Sequence, residues 1–402
     1  MIDQQIINDC EKKLQSTFQK LEDIALFNQE KVLNAFKKNQ IALRHFTGTS
    51  GYGYGDEGRD TINRLVADIF CAEEAICSPN IVSGTHALSL CLYGVLRPND
   101  TFVSISGEPY DTLSDVIRGE NNGSLKDFGI KFEAIPLKNG KIDKIAIKDY
   151  LSKNNPKMVY IQRSRGYEWR NALSILDIED AVNFVRSCGF NGCIMLDNCY
   201  GTFLDKREPI EVGVNLLAGS MIKNFGGGIA PTGGYIVGDK KYVELVQNRL
   251  TAPSIGGEVG SYGYGYQYFY QGIFIAPHTV LQALKGSLLI GAVMEALGYE
   301  TSPSLTELPN DIVRAIKFND KDALIKFIQG VQANSPIDSH VLAMPWAMPG
   351  YEDEVIMAAG CFVQGSSIEL SADAPIKPPY IGYLQGGITY EHCKIALKNM
   401  KL

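Results

Sequence analysis

Apolar residues recur at helical spacing near the start of the chain. The positions that share this spacing are Ile6, Ile7, Cys10, Leu14, Phe18, Leu21 and Ala25, and they predict one or two amphipathic helices over residues 4–42. A loop rich in glycine and tyrosine follows from Gly48 to Gly58. The next helix is predicted over residues 62–70, where apolar residues fall at i, i+3, i+4, i+7 and i+8.

Short apolar runs then alternate with helical patterns as far as about residue 240. The predicted strands cover residues 75–77, 101–105, 132–137, 158–162, 193–196 and 235–237. This alternation is typical of an α/β protein, in which helices flank a mostly parallel central sheet. Ligands of such sheets bind at the C-terminal ends of the strands, so polar residues that follow a strand become candidates for the functional site.

The last part of the chain has a different pattern. After a tyrosine-rich stretch over residues 262–270, a helix is predicted over residues 279–297. A smaller C-terminal α+β unit follows, with strands near residues 339–344 and 367–370 and a closing helix from Thr389. We therefore divide the chain into an N-terminal helical segment (1–45), a large ligand-binding domain (46–278) and a small C-terminal domain (279–402).

Composition excludes several classes of protein. The chain has 402 residues, of which 45% are hydrophobic and 21% are charged, as expected for a globular protein with a large core. Its net charge of −7 argues against a nucleic-acid partner. The nine cysteines form no Cys-x-x-Cys pair and the five histidines show no metal spacing, which predicts free thiols in the cytoplasm and no metal site. Residues 1–29 lack an apolar signal core, and residues 280–297 contain too many polar residues for a membrane span.

One lysine lies where lysine has little structural purpose. Lys223 interrupts the apolar run that begins at Leu216, and a glycine loop follows it. We expect burial to lower the pKa of such a lysine, which favours the neutral amine that forms a Schiff base. Upstream, Asp197 follows the predicted strand 193–196. A strand-end aspartate together with a strand-end lysine is what pyridoxal 5′-phosphate (PLP) requires, because the carboxylate keeps the pyridine nitrogen protonated while the lysine holds the aldehyde.

The phosphate of such a cofactor needs backbone amides at the start of a helix. Ser83, Gly84 and Thr85 precede an apolar helical pattern, and they combine small size, hydroxyl groups and a helix N-terminus. The same three residues are also a common helix N-cap. Their position upstream of Asp197 and Lys223 favours phosphate binding.

Three further residues follow predicted strands. Tyr110 lies just after the strand 101–105, where an aromatic ring can stack on a pyridine, although a packing role in a turn is the more common one for a tyrosine taken alone. Arg163 and Arg165 follow the strand 158–162 and are placed to hold a carboxylate or the cofactor. A solvated loop is the alternative for both arginines.

Two short motifs have simpler explanations. Ser220 to Lys223 matches the Ser-x-x-Lys signature of penicillin-interacting enzymes, but the companion Ser-Asp-Asn and Lys-Thr-Gly motifs are missing from the sequence. Gly53, Gly55 and Gly58 match Gly-x-Gly-x-x-Gly, yet no predicted strand precedes them. The aromatic loop that they belong to places Tyr54 and Arg59 where they can reach a phosphate, including one across a subunit boundary.

Together these residues resemble the fold-type-I PLP enzymes of cysteine and methionine metabolism. The closer resemblance is to the bacterial methionine gamma-lyase-like or aluminium resistance proteins, with residues 51–59, 162–167 and 383–390 as markers. The resemblance implies a fold-type-I transferase-like architecture, with Lys223 as the Schiff-base lysine and Asp197 as the partner of the pyridinium. It also implies that residues 83–85 and Ser220 contact the phosphate and that Tyr110 stacks on the ring. Homodimers or homotetramers with active sites at subunit boundaries are implied as well.

Two departures from the family pattern concern the substrate. Ile222 stands where the lyases carry a hydroxyl residue, and Glu369 stands where they carry an arginine for the substrate carboxylate. We therefore expect Arg163 or Arg165 to take over that carboxylate. The function that the resemblance implies is removal of the Cα proton of an amino acid by Lys223, followed by β- or γ-elimination at a carbon–sulfur bond. Transamination on the same scaffold and a non-catalytic binding protein are the alternatives.

Overall fold

The computed structural model describes residues 2–348 and 353–401. The chain begins with one 35-residue helix, α1 (Gln4–Lys38), where the sequence predicted one or two helices over residues 4–42. A short 3₁₀ turn, Leu43–Phe46, leads into the glycine–tyrosine loop. The apolar face of α1 is buried, which explains why so long a helix is stable.

The central sheet forms from residues 74–238, with helices on both faces. Its helices and the strands between them are α2 (Glu57–Phe70), β1 (Glu74–Ser78), α3 (Gly84–Val95), β2 (Thr101–Ser104), α4 (Asp111–Arg118), β3 (Lys131–Ala134), α5 (Lys144–Lys153), β4 (Met158–Gln162), α6 (Ile175–Ser187), β5 (Cys193–Asp197), β6 (Leu216–Ser220), β7 (Gly234–Gly238) and α7 (Lys240–Leu250).

The seven strands lie in the order β1-β7-β6-β5-β4-β2-β3. The strands β3, β2, β4, β5 and β6 are parallel to their neighbours, and only β7 runs against β1 and β6. Both faces of the sheet are covered, since Met158 and Tyr160 of β4 join one apolar cluster while Val159 and Ile161 join the other. The predicted α/β fold, with a mostly parallel sheet flanked by helices, is confirmed.

A long helix, α8 (Gln267–Ala296), follows the central sheet and begins twelve residues earlier than predicted, within the tyrosine-rich stretch. It contains Pro277, which removes one backbone hydrogen bond but does not end the helix, because the segment is packed on most sides. By length and composition α8 is apolar enough to cross a membrane, but 67% of its most apolar window is buried inside the protein, as expected for a core helix. The N-terminal helix α1 packs along it.

A second, smaller sheet lies at the C-terminal end. Its elements are β8 (Glu300–Ser302), β9 (Val313–Lys317), α9 (Lys321–Ala333), β10 (Val355–Ala358), β11 (Ser371–Pro375), β12 (Ile381–Gln385) and α10 (Tyr390–Asn399). The strands are antiparallel in the order β10-β11-β12-β9-β8, which confirms the predicted smaller α+β unit. Thr389 caps α10 by accepting a hydrogen bond from the amide of His392.

Two strands of this unit were predicted wrongly. Residues 339–344 form a turn and an extended loop in which Val341, Leu342 and Met344 are exposed, so their apolar character does not reflect burial in a sheet. The strand predicted over residues 367–370 begins at Ser371 instead. The preceding residues fold back because the carboxylate of Glu369 accepts hydrogen bonds from the amides of Phe362 and Val363, both at 2.9 Å.

The first helix touches both parts of the molecule. Asn28 of α1 donates a hydrogen bond to the carbonyl of Asp205 beside the central sheet, at 2.9 Å. Glu11 of α1 accepts hydrogen bonds from Tyr390 at 2.7 Å and Lys394 at 2.6 Å, both on α10. The division of the chain after residues 45 and 278 stays a prediction, and α8 continues across the second of these positions.

Candidate active site

Adjacent parallel strands bring the predicted residues to one edge of the central sheet. Asp197, the last residue of β5, pairs with Gln162 on one side and with Ala218 on the other. Lys223 follows β6 by three residues and starts a 3₁₀ turn, after which Gly227 takes a positive φ of 61°. The structure therefore brings Asp197 and Lys223 together, and their charges influence each other's pKa.

Asp197 is buried, with 5% of its surface exposed. The amide of Cys199 donates a hydrogen bond to its carboxylate at 3.0 Å. Burial raises the pKa of Asp197, although the Cys199 amide and the charge of Lys223 act in the opposite direction. A carboxylate in this position stays ionised most readily when a cation lies next to it.

Lys223 lies against an aromatic face. Its Nζ atom is 3.6 Å from the centre of the Tyr200 ring, which is a cation–π contact. The side chain of Asn224 donates to the carbonyls of Tyr200 and Thr202, both at 3.1 Å, and so holds this turn against the lysine.

The sequence predicted a lowered pKa for Lys223, and this prediction is wrong. Burial does lower the pKa of Lys223, but its interactions with Tyr200, Cys199 and Asp197 together outweigh burial, so the pKa is raised. The apolar run around Lys223 indicates burial, but it does not show which anionic and aromatic neighbours the lysine has. Those neighbours favour the ammonium form.

The start of α3 lies beside the same strand ends. Ser83 is the N-cap of α3 and accepts a hydrogen bond from the amide of His86 at 3.0 Å. A Cβ atom added to Gly84 would lie 3.0 Å from Cys199 Sγ and 3.5 Å from Ser220 Cβ, so the helix start packs closely against β5 and β6. Ser83 therefore has the N-cap role that the sequence offered as the alternative, and the first amides of a helix also suit an anion. Binding of the cofactor phosphate by Ser83, Gly84, Thr85 and Ser220 stays a prediction.

Tyr110 is the N-cap residue of α4 and lies near the same strand ends. Its amide donates a hydrogen bond to Gln162 Oε1 at 2.6 Å, which ties the tyrosine to the residue paired with Asp197. The hydroxyls of Thr85 and Thr112 are 3.0 Å apart, so the N-termini of α3 and α4 meet. The ring-stacking role of Tyr110 stays a prediction that this position supports.

A narrow cavity rich in tyrosine opens beside Lys223, between the two sheets. It is lined by Tyr110, Ser164, Gly166, Tyr167, Tyr200, Val313, Asp373, Tyr383 and Gln385. Asp373 comes from β11 of the second sheet, and Gln385 Nε2 lies 3.5 Å from its carboxylate. Burial raises the pKa of Asp373 to about 6, although hydrogen bonding from Tyr167 and Gln385 and the charge of Lys223 act to lower it.

Asp373, Tyr200 and Asn224 also belong to the site, and they were not predicted from the sequence. Tyr200 follows Asp197 by three residues, and Asn224 directly follows Lys223. This closeness in sequence was the signal that could have identified both residues. Asp373 had no such signal, because it lies in a strand whose start was misplaced and in a different sheet.

The two arginines after β4 make internal contacts. Arg163 is 2% exposed and donates to Gly201 O at 2.7 Å, Asn198 Oδ1 at 3.0 Å and Leu173 O at 3.3 Å. Arg165 is 1% exposed and donates to the carbonyl and hydroxyl of Ser302.

Arg165 also lies near a buried acid, since its Nε atom is 3.7 Å from Asp311. Neither Arg163 nor Arg165 lines the tyrosine-rich cavity. A role for either in holding the substrate carboxylate stays a prediction, and these contacts argue against it.

The glycine–tyrosine loop presents aromatic rings to solvent. Tyr52 and Tyr54 are 72% and 68% exposed, and their ring centres are 5.6 Å apart. Arg59 is instead buried within its own chain, where it donates to Gly53 O at 3.0 Å and forms an ion pair with Asp60 at 2.8 Å. Cofactor contacts from Tyr54 and Arg59 stay predictions, and exposure favours Tyr54.

Comparisons with known proteins agree with this geometry. The family model described as methionine gamma-lyase matches residues 3–401. The uncharacterized protein YnbB of Bacillus subtilis (strain 168) is 46% identical over 393 residues, which cover 97% of this chain and 93% of YnbB. A carbon-sulfur lyase involved in aluminum resistance from Clostridium novyi NT is 49% identical, and its crystal structure aligns with a TM-score of 0.94 over 98% of this chain and 95% of that one. At 15% identity, the pyridoxal-5′-phosphate-dependent protein YhfS from Escherichia coli shares the fold, with a TM-score of 0.63 over 94% of this chain and 97% of that one.

Proposed function

The chain belongs to the methionine gamma-lyase family, and from this premise we propose that it is a PLP-dependent lyase that cleaves a carbon–sulfur bond of an amino acid. The observation that carries the proposal is the placement of Lys223 and Asp197 at neighbouring strand ends, beside the start of α3. The crystal structure from Clostridium novyi NT, 49% identical, is that of a carbon-sulfur lyase, which supports the same chemistry here.

The described residues fit PLP. Lys223 would hold the aldehyde, and Asp197 would bond to the pyridine nitrogen. Asp197 is buried and Lys223 is half-buried, and the two groups carry opposite charges. The start of α3 and Ser220 would bind the phosphate, because Gly84 leaves room where any larger residue would meet Cys199. When bound, PLP withdraws electrons from the carbon next to the substrate nitrogen.

Each of these residues has a definite task in the reaction. Lys223 Nζ takes the proton from the substrate Cα and returns a proton to the departing sulfur, so that a thiol leaves. Asp197 keeps its negative charge beside the ring nitrogen, and its burial strengthens that interaction. Tyr110, the N-cap residue of α4, would stack on the ring of bound PLP.

The active site is completed by a second copy of the chain. Tyr52 and Tyr54 expose their rings to solvent in the described chain, and their ring centres are 5.6 Å apart, so they form one exposed aromatic patch. A neighbouring subunit in a homodimer or homotetramer covers this patch and receives Tyr54 near its phosphate site. The proposed substrate is a sulfur-containing amino acid, with no nucleic acid or membrane partner.

The function is tested by product analysis. Purified holoenzyme is incubated with a panel of sulfur-containing amino acids, and keto acid, ammonia and thiol are measured together. Elimination releases all three in equal amounts, whereas transamination gives keto acid without thiol. The control is Lys223→Ala, which keeps the fold but has no base. Keto acid without thiol for every compound, or no product from any, would overturn the proposal.

A further inference from the structure

Asp373 brings a carboxylate from the second sheet into the tyrosine-rich cavity. On β11 it pairs with Tyr383 of β12, and both residues line the cavity. Among the residues that line the cavity, Asp373 is the only one with a formal charge. The cavity has a volume of about 20 Å³, which suits a group as small as an ammonium, and such a group would meet one carboxylate and four phenol rings.

Three charged side chains at positions considered for substrate binding make hydrogen bonds within the chain instead of lining the cavity. Glu369 caps the amides of Phe362 and Val363, so the residue at the family's arginine position does not face the cavity. Arg163 and Arg165 bond to groups of the chain itself. A ligand carboxylate would find no cation among the cavity-lining residues, and Asp373 would repel it.

Lys223 is the cation whose charge acts on Asp373 in the described structure. In the proposed function Lys223 acts as the base, which requires its neutral amine, so it does not remain a fixed cationic counter-ion of Asp373. Asp373 then keeps the contact with Gln385, whose Nε2 lies 3.5 Å away, but has no cationic partner among the residues that line the cavity. A partly buried carboxylate in this situation gains from a cation that a ligand supplies.

The aromatic walls favour the same kind of ligand group. The ring centres of Tyr167 and Tyr383 are 5.0 Å apart, and those of Tyr110 and Tyr167 are 6.0 Å apart. Tyr200 already receives the ammonium of Lys223 over its face at 3.6 Å. Several phenol rings around a carboxylate are a common arrangement for binding an ammonium group.

We propose that this cavity selects substrates that carry a second ammonium group at the far end of the side chain, bound by Asp373 among the tyrosines. The inference rests on the proposed lyase function and names the class of substrate: a sulfur amino acid whose leaving group is cationic. Asp373 is a specificity-determining residue in this account, and Lys223 remains the base.

The test uses three ligands of similar size and different charge. S-(2-aminoethyl)-L-cysteine ends in an ammonium group, S-propyl-L-cysteine in a methyl group and S-carboxymethyl-L-cysteine in a carboxylate. Binding to the holoenzyme is measured by stopped-flow mixing from the first change in the visible cofactor spectrum, before turnover. We expect the ammonium ligand to bind about ten- to a hundredfold more tightly than the neutral one, and the anionic ligand to bind most weakly.

Variants assign the preference to Asp373. Asp373→Asn keeps the shape and removes the charge, so the three affinities should converge to within a few-fold. Glu300→Gln is the matched control, because Glu300 is an exposed carboxylate of the same sheet and pairs with Lys317. If Asp373→Asn does not fold, the order of the three affinities in the wild type still tests the inference. Asp373→Glu, which keeps the charge, should then keep that order.

Two results would overturn the inference: equal or tighter binding of the neutral or anionic ligand, or a preference that survives in Asp373→Asn. Thiol release from the same three ligands is measured separately. Cleavage without a charge preference contradicts this inference alone. An Asp373-dependent preference without cleavage contradicts the lyase function and leaves the recognition of the ammonium group standing.

Discussion

The Nζ atom of Lys223 lies 3.6 Å from the centre of the Tyr200 ring. The turn that carries Tyr200 follows Asp197 directly, and Asn224 bonds to its backbone at two carbonyls. The lysine, the aspartate and the aromatic ring are thus fixed by one set of contacts between two neighbouring strand ends. Changes at any of these residues should therefore affect cofactor binding as well as chemistry.

Lys223→Ala should abolish both the visible absorbance of the bound cofactor and all turnover. The reason is that, in the described part of the chain, Lys223 is the amine that follows β6 and lies beside Asp197. Absorbance spectra and thiol assays measure the loss, and Lys240→Ala, on the exposed start of α7, is the matched control. Borohydride reduction followed by peptide mass spectrometry should place the cofactor on Lys223. A different labelled lysine would contradict the assignment.

Asp197→Asn should retain the cofactor and lose most of its turnover, by more than about a hundredfold. The amide keeps the shape of the side chain but has no negative charge to stabilise a protonated ring nitrogen. Steady-state kinetics with matched cofactor occupancy measure the effect. Asp180→Asn is the control, because Asp180 is 64% exposed on α6 and pairs with Lys144. Turnover near the wild-type value would refute the role.

Arg163→Met should reduce stability more than ligand affinity. It leaves the carbonyls of Gly201 and Leu173 without their buried donor, which costs on the order of 3 kcal/mol in the free energy of unfolding. Urea unfolding measures this loss. Arg207→Met, which removes a surface ion pair with Glu179, should scarcely change the free energy of unfolding. A stable Arg163→Met protein with weakened amino-acid binding would instead restore the arginine to the substrate site.

Tyr54→Ala should weaken cofactor binding in an oligomeric enzyme. The ring is 68% exposed in the single chain, so its loss should scarcely change the stability of that chain. Sedimentation velocity should show a dimer or tetramer, and cofactor titration should show reduced affinity. Tyr264→Ala removes a ring that is 92% exposed and provides the comparison. A monomer with full cofactor occupancy would rule out a shared site.

Binding of the ammonium ligand should weaken as the pH falls through about 6. The pKa of Asp373 is raised to about 6, so acid protonates the carboxylate and removes the charge that attracts the ligand. The groups that face it are Tyr167, Tyr200, Tyr383, Gln385 and Lys223, and the tyrosines stay neutral in this range.

The same titration separates Asp373 from general effects of acid. The affinity for S-(2-aminoethyl)-L-cysteine is measured from pH 5 to 8 in wild type and in Asp373→Asn. The variant should lose the fall below about 6 that wild type shows. Parallel curves for the two proteins would mean that another group titrates.

The central sheet was predictable because its strands are short, apolar and separated by helical patterns. Asp197 and Lys223 could be placed for the same reason, since each directly follows a buried strand. The second sheet was harder, because its antiparallel strands pair residues far apart in sequence and carry weaker patterns. Asp373 enters the site through that sheet, so no local signal marked it.

The pKa of Lys223 could not be predicted from the sequence for a different reason. Burial can be read from an apolar run, and it acts in the expected direction. The opposing contribution comes from Tyr200 and Cys199, whose distance from the lysine depends on how two strand ends are joined in space. Hydrogen-bond partners of Arg163 and Arg165 were hidden for the same reason, since they lie in loops far along the chain.

The helix α1 bonds to the central unit through Asn28 and to α10 of the smaller unit through Glu11. Lys223 and Asp373 stand on opposite sides of the junction that this helix crosses. A change on α1 that tilts one unit by a small angle would alter the gap between amine and carboxylate without touching either. Laboratory evolution toward longer or shorter substrates should therefore also return substitutions on α1, at positions that do not touch the cavity.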